Sequence, residues 1–368
     1  MDQWFMAAAA CGDSIIWITD PGGHFMKLDI KTNRVEYIQP LRDMAMQLYR
    51  SSVLCVKDRV AYFVANMGKY LIRLFIDGNY FETIQIDCEK MQLDMYAGVL
   101  FDGEDLIILP IYSDEYVCIN LGTKRVVRKK MGLEVGKTQI RVGPRQFLAK
   151  NDQRFQNKMY LLTSGSRRLV TVYKDIREMC ETTLPDCIGE AVDFEEYEGY
   201  FYILNSENEV YQYGNGSCER LCFLEGDSYG CIHLANGVLW IFPAYAEKIY
   251  RVFLKDRTLE EFTDYPGDYQ YTAPETMAKF FYKCQAGKKT YLAMHSGNYI
   301  FSVNDQTGEG CMELLTWPSI EERLGEIEYQ KRDRIYEVKG SMELKDYLDC
   351  IINGAMETMG GKRYADKK

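Results

Sequence analysis

Short apolar runs separated by polar turns recur along most of the chain. Seven of these runs centre on a bulky residue, and the centres are 38 to 52 residues apart: Trp17, Tyr62, Ile108, Tyr160, Tyr202, Trp240 and Tyr291. After each centre comes a turn and then a run in which apolar and polar residues alternate, as in residues 248–253. Alternation with a period of two is typical of a strand buried on one side. The pattern therefore predicts strands through this part of the chain.

Two more strands complete each unit. An apolar run precedes every centre and tends to hold small residues, as in residues 5–10. Small side chains suit the crowded innermost strand of a radial array. Polar turns such as residues 29–33 and 304–308 lead into one further strand, because Asp and Asn fold their side chains onto the turn backbone. Four strands repeated seven times predict an all-β fold, a seven-bladed β-propeller of four-stranded antiparallel blades, over residues 1–317.

The first unit, residues 16–38, resembles a repeat of the virginiamycin B lyase type. In that pattern a Trp-Phe-Thr strand leads through a turn into an Ile-x-x-Asp-x-x-Thr-Gly-x-x-Glu hairpin. Kelch and other bacterial propellers share much of it, and the resemblance covers about residues 1–317. It implies the propeller fold, and it implies an activity that depends on His and acidic residues at the channel mouth. The chain has three His, His24, His233 and His295, and none follows a Glu-x-His pattern.

The pattern changes after Trp317. Residues 319–322 form a capping box, which predicts the start of a helix. Apolar residues then fall on one helical face, first at Ile320, Leu324 and Ile327 and later at Leu344, Leu348, Ile351 and Ile352. We expect residues 318–368 to form a short α-helical C-terminal appendage with a mobile end. Its apolar stripe would dock either on the propeller itself or on a partner.

Charge narrows the choice of partner. The chain has 44 Lys and Arg against 54 Asp and Glu, a formal net charge of −10, which argues against nucleic acid and anionic membranes as main partners. No apolar stretch reaches the roughly 20 residues that span a bilayer. We expect a cytoplasmic protein whose 12 cysteines are mostly buried free thiols. The alternative is a secreted propeller with a lipid on Cys11.

Two groups of side chains are candidates for binding. Loops between the second and third strands of each blade meet at one mouth of a propeller channel. The candidates there are His24, Lys69, Tyr112, Arg167, Asn205, Tyr245 and His295, which suit a polar ligand such as a peptide or glycan but are also ordinary turn formers. A local positive patch, either an anion or acidic-partner site or a solvated loop, comprises Lys129, Lys130, Lys137, Arg141 and Arg145.

No residue pattern predicts a catalytic, metal or cofactor site. The closest cysteine pairs lack CxxC spacing and a neighbouring His, and no nucleophile elbow is present. His233 is expected on an innermost strand as a hydrogen-bonded core histidine. Channel-facing charges, expected in any propeller, are Glu190, Asp193, Lys279 and Lys283.

The sequence therefore favours a non-catalytic binding or scaffold module that recognises a protein, peptide or glycan at the channel mouth. The alternative is a propeller enzyme of the lyase or carbohydrate-active class that uses His24, His295 or acidic residues of the channel.

Overall fold

The structure, a computed structural model, describes most of the predicted strand region. The described residues are 4–20, 24–40, 53–64, 70–78, 80–86, 96–110, 115–130, 147–151, 158–163, 167–173, 179–269, 280–294 and 298–318. They belong to one compact unit, Met1–Pro318. The predicted helical appendage lies outside the described residues, so it stays a prediction.

The described strands form seven four-stranded antiparallel sheets, which we number as blades 1 to 7 in chain order. Blade 1 contains β1 (Trp4–Cys11), β2 (Ser14–Asp20), β3 (His24–Asp29) and β4 (Arg34–Pro40). Blade 2 contains β5 (Val53–Lys57), β6 (Val60–Val64), β7 (Tyr70–Phe75) and β8 (Tyr80–Gln85). Blade 3 contains β9 (Tyr96–Asp102), β10 (Asp105–Pro110), β11 (Glu115–Asn120) and β12 (Val126–Lys130).

The other four blades repeat this plan. Blade 4 contains β13 (Phe147–Asn151), β14 (Lys158–Thr163), β15 (Arg168–Tyr173) and β16 (Met179–Thr183). Blade 5 contains β17 (Ala191–Tyr197), β18 (Tyr200–Asn205), β19 (Glu209–Gly214) and β20 (Ser217–Phe223), preceded by a 3-10 helix, Asp186–Ile188. Blade 6 contains β21 (Tyr229–Ala235), β22 (Val238–Pro243), β23 (Tyr250–Phe253) and β24 (Thr258–Glu261). Blade 7 contains β25 (Phe280–Ala286), β26 (Lys289–Met294), β27 (Tyr299–Asn304) and β28 (Gly310–Leu314).

The first strands of the seven blades form a closed ring. Each first strand contacts the first strands of both neighbouring blades, and β25 contacts β1. Within a blade the strands pair in chain order, so the fourth strand lies farthest from the ring. The predicted seven radial units, with the first strand innermost, are confirmed.

The core lies between neighbouring blades. Six of the predicted centres are buried in the second strands of their blades: Tyr62, Ile108, Tyr160, Tyr202, Trp240 and Tyr291. Trp240 of blade 6 packs on Phe301 of blade 7 with ring centroids 5.3 Å apart, and its indole N–H donates to the Gly308 carbonyl at 3.0 Å. Each sheet thus buries its bulky residues against the next sheet, which is where the hydrophobic stabilisation arises.

Tight turns set the register of the strands. Asn236 and Gly237 join β21 to β22 with φ of 48° and 75°, the backbone of a type I′ hairpin turn. In the turn after β3, Asp29 Oδ1 accepts hydrogen bonds from the backbone N–H groups of Lys31 (2.9 Å) and Thr32 (3.0 Å). Asx hydrogen bonding therefore forms the hairpin as the sequence predicts.

The ring closes between blades 7 and 1 without a shared strand. Ile15 and Leu28 of blade 1 and Tyr291 and Ile300 of blade 7 belong to one buried apolar cluster. The chain that leaves β28 also pairs with the start of β4, because the Val35 N–H donates to the Thr316 carbonyl at 2.8 Å. Side-chain packing and this short backbone bridge together hold the seam.

The described cysteines are free thiols. Cys11, Cys118 and Cys231 are buried, as expected of apolar strands. Cys180, Cys187 and Cys311 are exposed, which the sequence pattern did not predict.

Candidate functional site

The alternation of strand direction sorts the loops onto two faces of the ring. Connections between blades and loops between second and third strands share one face, here called the loop face. Turns between first and second strands, and between third and fourth strands, share the opposite hairpin face. This follows from four antiparallel strands per blade. The predicted ligand-binding residues belong to loops of the loop face.

Hydrogen bonds tie the loops of blades 5 and 6 together on the loop face. The Ser228 carbonyl, in the connection between these blades, accepts from the N–H groups of Ala244 (2.9 Å), Tyr245 (3.0 Å) and Ala246 (3.2 Å). The Asn208 side chain donates to the Asp227 carbonyl at 3.0 Å and accepts from the backbone of the same connection. The loops are therefore held in place before any ligand arrives, which lowers the entropic cost of binding.

Three of the predicted ligand-binding side chains are described. Asn205 is 1% exposed, and its amide donates to the Ile188 carbonyl (3.0 Å) and to Glu209 (3.1 Å), so it organises the loop. Arg167 forms an ion pair with Asp186 at 2.5 Å. Tyr245 is 43% exposed and stands at the surface of the loop face.

The remaining predicted binding residues are not brought into a described site. His24 is the first residue of β3. Lys69, Tyr112 and His295 lie outside the described residues. A ligand-binding role for these four residues stays a prediction.

Tyrosines cluster on the loop face where blade 6 connects to blade 7. The rings of Tyr265 and Tyr269 stack with centroids 5.4 Å apart and an interplanar angle of 12°. Tyr269 meets Tyr299 edge-on at 5.7 Å. The Tyr299 hydroxyl donates to Asp268 at 2.5 Å, and this hydrogen bond raises the pKa of Tyr299. The connection thus presents half-buried aromatic rings beside a carboxylate.

Exposed carboxylates lie on the same face of the ring as the tyrosine cluster. In the described loop-face segments 205–208, 224–228, 244–248 and 262–269, six exposed acidic residues form what we call the acidic rim: Glu207, Glu225, Asp227, Glu247, Asp264 and Asp268. The same segments hold one Lys or Arg, Lys248, whose Nζ lies 2.7 Å from Glu261. These four segments therefore carry a local excess of negative charge.

Part of the predicted positive patch is also in place. Lys129 and Lys130 end β12 on the loop-face side of blade 3, and both are exposed. Lys129 lines an open groove of about 510 Å³ with Arg125 and Asp105. Lys137, Arg141 and Arg145 lie outside the described residues, so an anion or acidic-partner site there stays a prediction.

A second polar group lies inside the ring, towards the hairpin face. Lys283 of blade 7 forms an ion pair with Glu195 of blade 5 and donates to the Ile232 carbonyl of blade 6 at 2.7 Å. Blades 5 and 7 are separated by blade 6, so these side chains can meet only inside the ring. The Ile232 N–H in turn donates to the buried Asp193 carboxylate at 2.9 Å.

His233 completes this group. Its Nε2 lies 2.9 Å from Asp305 Oδ1, and its Nδ1 lies 3.8 Å from Glu195 Oε1. Asp305 also accepts from Thr290 (3.0 Å) and Gln285 (2.8 Å). We call Glu195, His233, Lys283 and Asp305 the axial cluster. His233 is thus hydrogen-bonded to Asp305 and lies near Glu195, beyond hydrogen-bond distance.

Some of these features could be predicted from the sequence and others could not. The sequence places His233 on an innermost strand and identifies Tyr245 as a candidate ligand-binding residue. The tyrosine cluster was not predicted, although Tyr265 and Tyr269 lie four residues apart in one interblade connection. Glu195 and Asp305 were also not predicted, because nothing in the local sequence shows that they approach His233.

Within the described residues, no group of three or more His, Cys, Asp or Glu side chains is placed to hold a metal ion. The same residues also include no helix of the length and apolarity needed to cross a membrane.

Comparison with known proteins identifies the fold. No family model and no curated protein matches the chain. Solved structures do. YCF48 bound to D1 peptide is 8% identical over 85% of this chain and 94% of that chain, with a TM-score of 0.59. A streptogramin B lyase is 12% identical over 85% and 94%, with a TM-score of 0.57. Virginiamycin B lyase from Staphylococcus aureus is 11% identical over 79% and 92%, also with a TM-score of 0.57.

Such low identities show the fold alone. They confirm, at that level, the resemblance of the first unit to virginiamycin B lyase-type repeats, whereas the kelch-like character stays a prediction. Together with seven four-stranded sheets around a closed ring of first strands, they establish that the chain is a seven-bladed β-propeller.

Proposed function

We propose that this protein is a non-catalytic binding module that recognises a basic segment of a partner protein on the loop face of blades 5 to 7. The observation that carries the proposal is that the acidic rim and the stacked pair Tyr265 and Tyr269 lie on the same face of neighbouring blades. Carboxylates attract Lys and Arg side chains, and tyrosine rings stack on their cationic groups and on the peptide backbone. The hydrogen-bonded loops supply a surface that is already ordered.

Two findings support a protein partner over a small anion or a nucleic acid. The chain has a net charge of −10, and the rim adds a local field that repels phosphate. One structural neighbour, YCF48, was solved with a peptide bound, so a propeller of this shape can hold a peptide. Glycan recognition at the same face is the competing prediction, and the experiment below includes it.

The test is fluorescence polarisation with three labelled probes: a Lys/Arg-rich decapeptide, an Asp/Glu-rich decapeptide and an uncharged oligosaccharide. We expect the basic peptide alone to bind, with an affinity that falls at least several-fold as salt rises from about 50 to 200 mM. The double variant Glu247→Gln/Asp264→Asn should weaken binding at least about fivefold. The matched control Glu198→Gln/Glu309→Gln removes two exposed carboxylates from the hairpin face and should leave binding unchanged.

Other results would overturn the proposal. Equal loss in the two double variants would mean that net charge, not the rim, attracts the peptide. Binding of the oligosaccharide alone would favour a glycan ligand at this face. No binding of any probe by folded protein would contradict recognition by this surface.

A second candidate function rests on the axial cluster. His233 beside Asp305, with Glu195 and Lys283 within the same group, supplies a base or acid and a cation of the kind a lyase requires. Solved propellers that resemble this chain include lyases of streptogramin B and virginiamycin B. Loss of virginiamycin B from solution, followed by reversed-phase chromatography and abolished by His233→Gln, would establish an enzyme and displace the binding-module proposal.

A further inference from the structure

Two thiols lie side by side where the chain enters blade 5. Cys187 is the central residue of the 3-10 helix Asp186–Ile188, and Cys218 is the second residue of β20. Their sulfur atoms are 3.6 Å apart, although the residues are 31 positions apart in sequence. Cys187 is exposed and Cys218 is half-buried. Spacing alone did not suggest the pair, because neither cysteine has a partner at CxxC distance.

The backbones on both sides of the pair are fixed. Ile188 is completely buried, and its carbonyl accepts the Asn205 amide at 3.0 Å. Cys218 pairs with Tyr213 in the ladder between β19 and β20. A disulfide has a sulfur–sulfur distance of about 2.0 Å, so bond formation requires the two side chains to close by roughly 1.5 Å.

We propose that Cys187 and Cys218 form an oxidisable dithiol, a modification site at which a peroxide produces an intramolecular disulfide. The exposed Cys187 sulfur, as the thiolate, attacks one peroxide oxygen and breaks the O–O bond. This gives a sulfenic acid at Cys187 and releases hydroxide, or an alkoxide from an organic peroxide. The Cys218 sulfur then attacks the Cys187 sulfur and expels hydroxide, which takes up the Cys218 thiol proton as water. Two thiols lose two electrons in total, and the peroxide gains them.

The environment of the two thiols sets this order. Burial and the neighbouring Cys187 raise the pKa of Cys218 to about 11, so little Cys218 thiolate is present at neutral pH. Cys187 is the accessible thiol and meets the peroxide first. Cys218 is then positioned as the resolving thiol, 3.6 Å from the sulfur it must attack.

The bond would fasten the connection between blades 4 and 5 to the outermost strand of blade 5. The same 3-10 helix carries Asp186, which pairs with Arg167 of blade 4 at 2.5 Å. Oxidation would therefore restrain a segment that links the two blades. Closing a loop of this length reduces the entropy of the unfolded chain, so the oxidised protein should melt several degrees higher.

The experiment treats the full chain with hydrogen peroxide, blocks free thiols with iodoacetamide and digests without reduction using a protease that cleaves after Glu. The three relevant cysteines then lie in separate peptides, because Cys180 precedes Glu181, Cys187 lies in residues 182–190 and Cys218 lies in residues 210–219. We expect a linked product of the last two peptides, lighter by two hydrogens than their sum. We also expect the rise in Tm to disappear on reduction.

Matched variants separate this pair from general thiol oxidation. Cys187→Ser and Cys218→Ser should each abolish the linked peptide and the rise in Tm, whereas Cys180→Ser, which removes another exposed thiol, should change neither. Recovery of Cys187 and Cys218 as unlinked peptides, at a peroxide dose that oxidises Cys180, would overturn the proposal. A Cys180–Cys187 linkage would also overturn it, whereas a Cys187–Cys218 peptide without a shift in Tm would contradict only the expected restraint on the connection between blades 4 and 5.

Discussion

The ion pair between Glu195 and Lys283 provides a quantitative test of how the axial cluster joins three blades. Both side chains are 19% exposed, and Lys283 also donates to the Ile232 carbonyl. At an effective dielectric constant of about 20, unit charges about 4 Å apart attract by roughly 4 kcal/mol. Desolvation offsets a large part of this attraction. We therefore expect a coupling free energy of about 1 to 3 kcal/mol.

A double-mutant cycle measures this coupling. The variants are Glu195→Gln, Lys283→Met and their combination, each unfolded in urea, with equal m values as the condition for comparing them. The lost bond to Ile232 is common to both Lys283 variants and cancels in the cycle. As the control, the same cycle on Glu261 and Lys248, which are 37% and 50% exposed, should give a clearly smaller coupling, because solvent screens an exposed pair.

The reasoning is refuted if the effects of Glu195→Gln and Lys283→Met on the free energy of unfolding simply add in the double variant. If the axial cycle gives a coupling below about 0.5 kcal/mol, the carboxylate and the ammonium group do not stabilise each other across the ring. A coupling equal to that of the exposed pair would likewise show that partial burial adds nothing.

Three further changes test other parts of the fold. Burial acts to raise the pKa of Glu313, but hydrogen bonds from Lys289 and Ser302 outweigh it and hold the pKa below its ordinary value of 4.5. Glu313 therefore stabilises the fold above that pH and less as pH falls below it, so the Tm deficit of Glu313→Gln should shrink on acidification; a deficit independent of pH contradicts this. Gly308 has φ of +78°, and a Cβ there would lie 2.9 Å from Val238. Gly308→Ala should therefore lower the free energy of unfolding in urea by about 2 to 3 kcal/mol. Gly12 has φ of +59° and open space around it, so Gly12→Ala should lower it by only about 1 kcal/mol. Equal costs would show that contact with blade 6 is unimportant. Asp58 and Arg59 form a turn in which both φ values are positive, 50° and 59°, a backbone that glycine adopts without strain. Arg59→Gly should therefore raise the free energy of unfolding by up to about 1 kcal/mol, although it removes an exposed ion pair with Asp77. A fall in Tm would contradict this expectation.

The propeller can be predicted from the sequence because every blade needs the same two features within one stretch of chain, a buried bulky residue and tight turns. A bulky residue such as Tyr202 or Trp240 must be buried against the next sheet, and tight turns must return the chain after a few residues. Both signals lie within one repeat, so a period of about 40 to 50 residues is visible without any knowledge of long-range contacts.

Strand bounds near the axis were harder to predict. The apolar run that precedes the centre Tyr291 is residues 277–281, whereas the described innermost strand of blade 7 is Phe280–Ala286. Lys283 and Gln285 pair with Leu292 and Thr290 of β26 in the backbone ladder. Their side chains bond to Glu195 of blade 5 and to Asp305 of blade 7. The sequence predicts that Lys283 faces the channel, but it does not show that Glu195 is its partner across the ring.

The candidate sites depend on contacts that no single repeat contains. Glu195 and Lys283 are 88 positions apart, and His233 and Asp305 are 72 apart. Asn205 shows the converse problem, because an amide in a loop was expected to face a ligand, whereas its hydrogen bonds to Ile188 and Glu209 use it to hold the loop. Residue type identifies polar side chains, but only the fold shows which of them already have partners.

The two ends of the ring differ in what a ligand must displace. In the axial cluster each carboxylate already faces a cation or a hydrogen-bond donor, so a charged ligand entering there has to break existing bonds. On the loop face, segments 205–208, 224–228, 244–248 and 262–269 hold six exposed carboxylates and one lysine, which is paired with Glu261. A basic partner there displaces mainly water and mobile counterions, and it relieves repulsion among the carboxylates. This difference favours the loop face as the binding surface. The bonds of the axial cluster then serve to join blades 5 to 7, and loss of a substrate that depends on His233 is the observation that would assign the cluster a catalytic role.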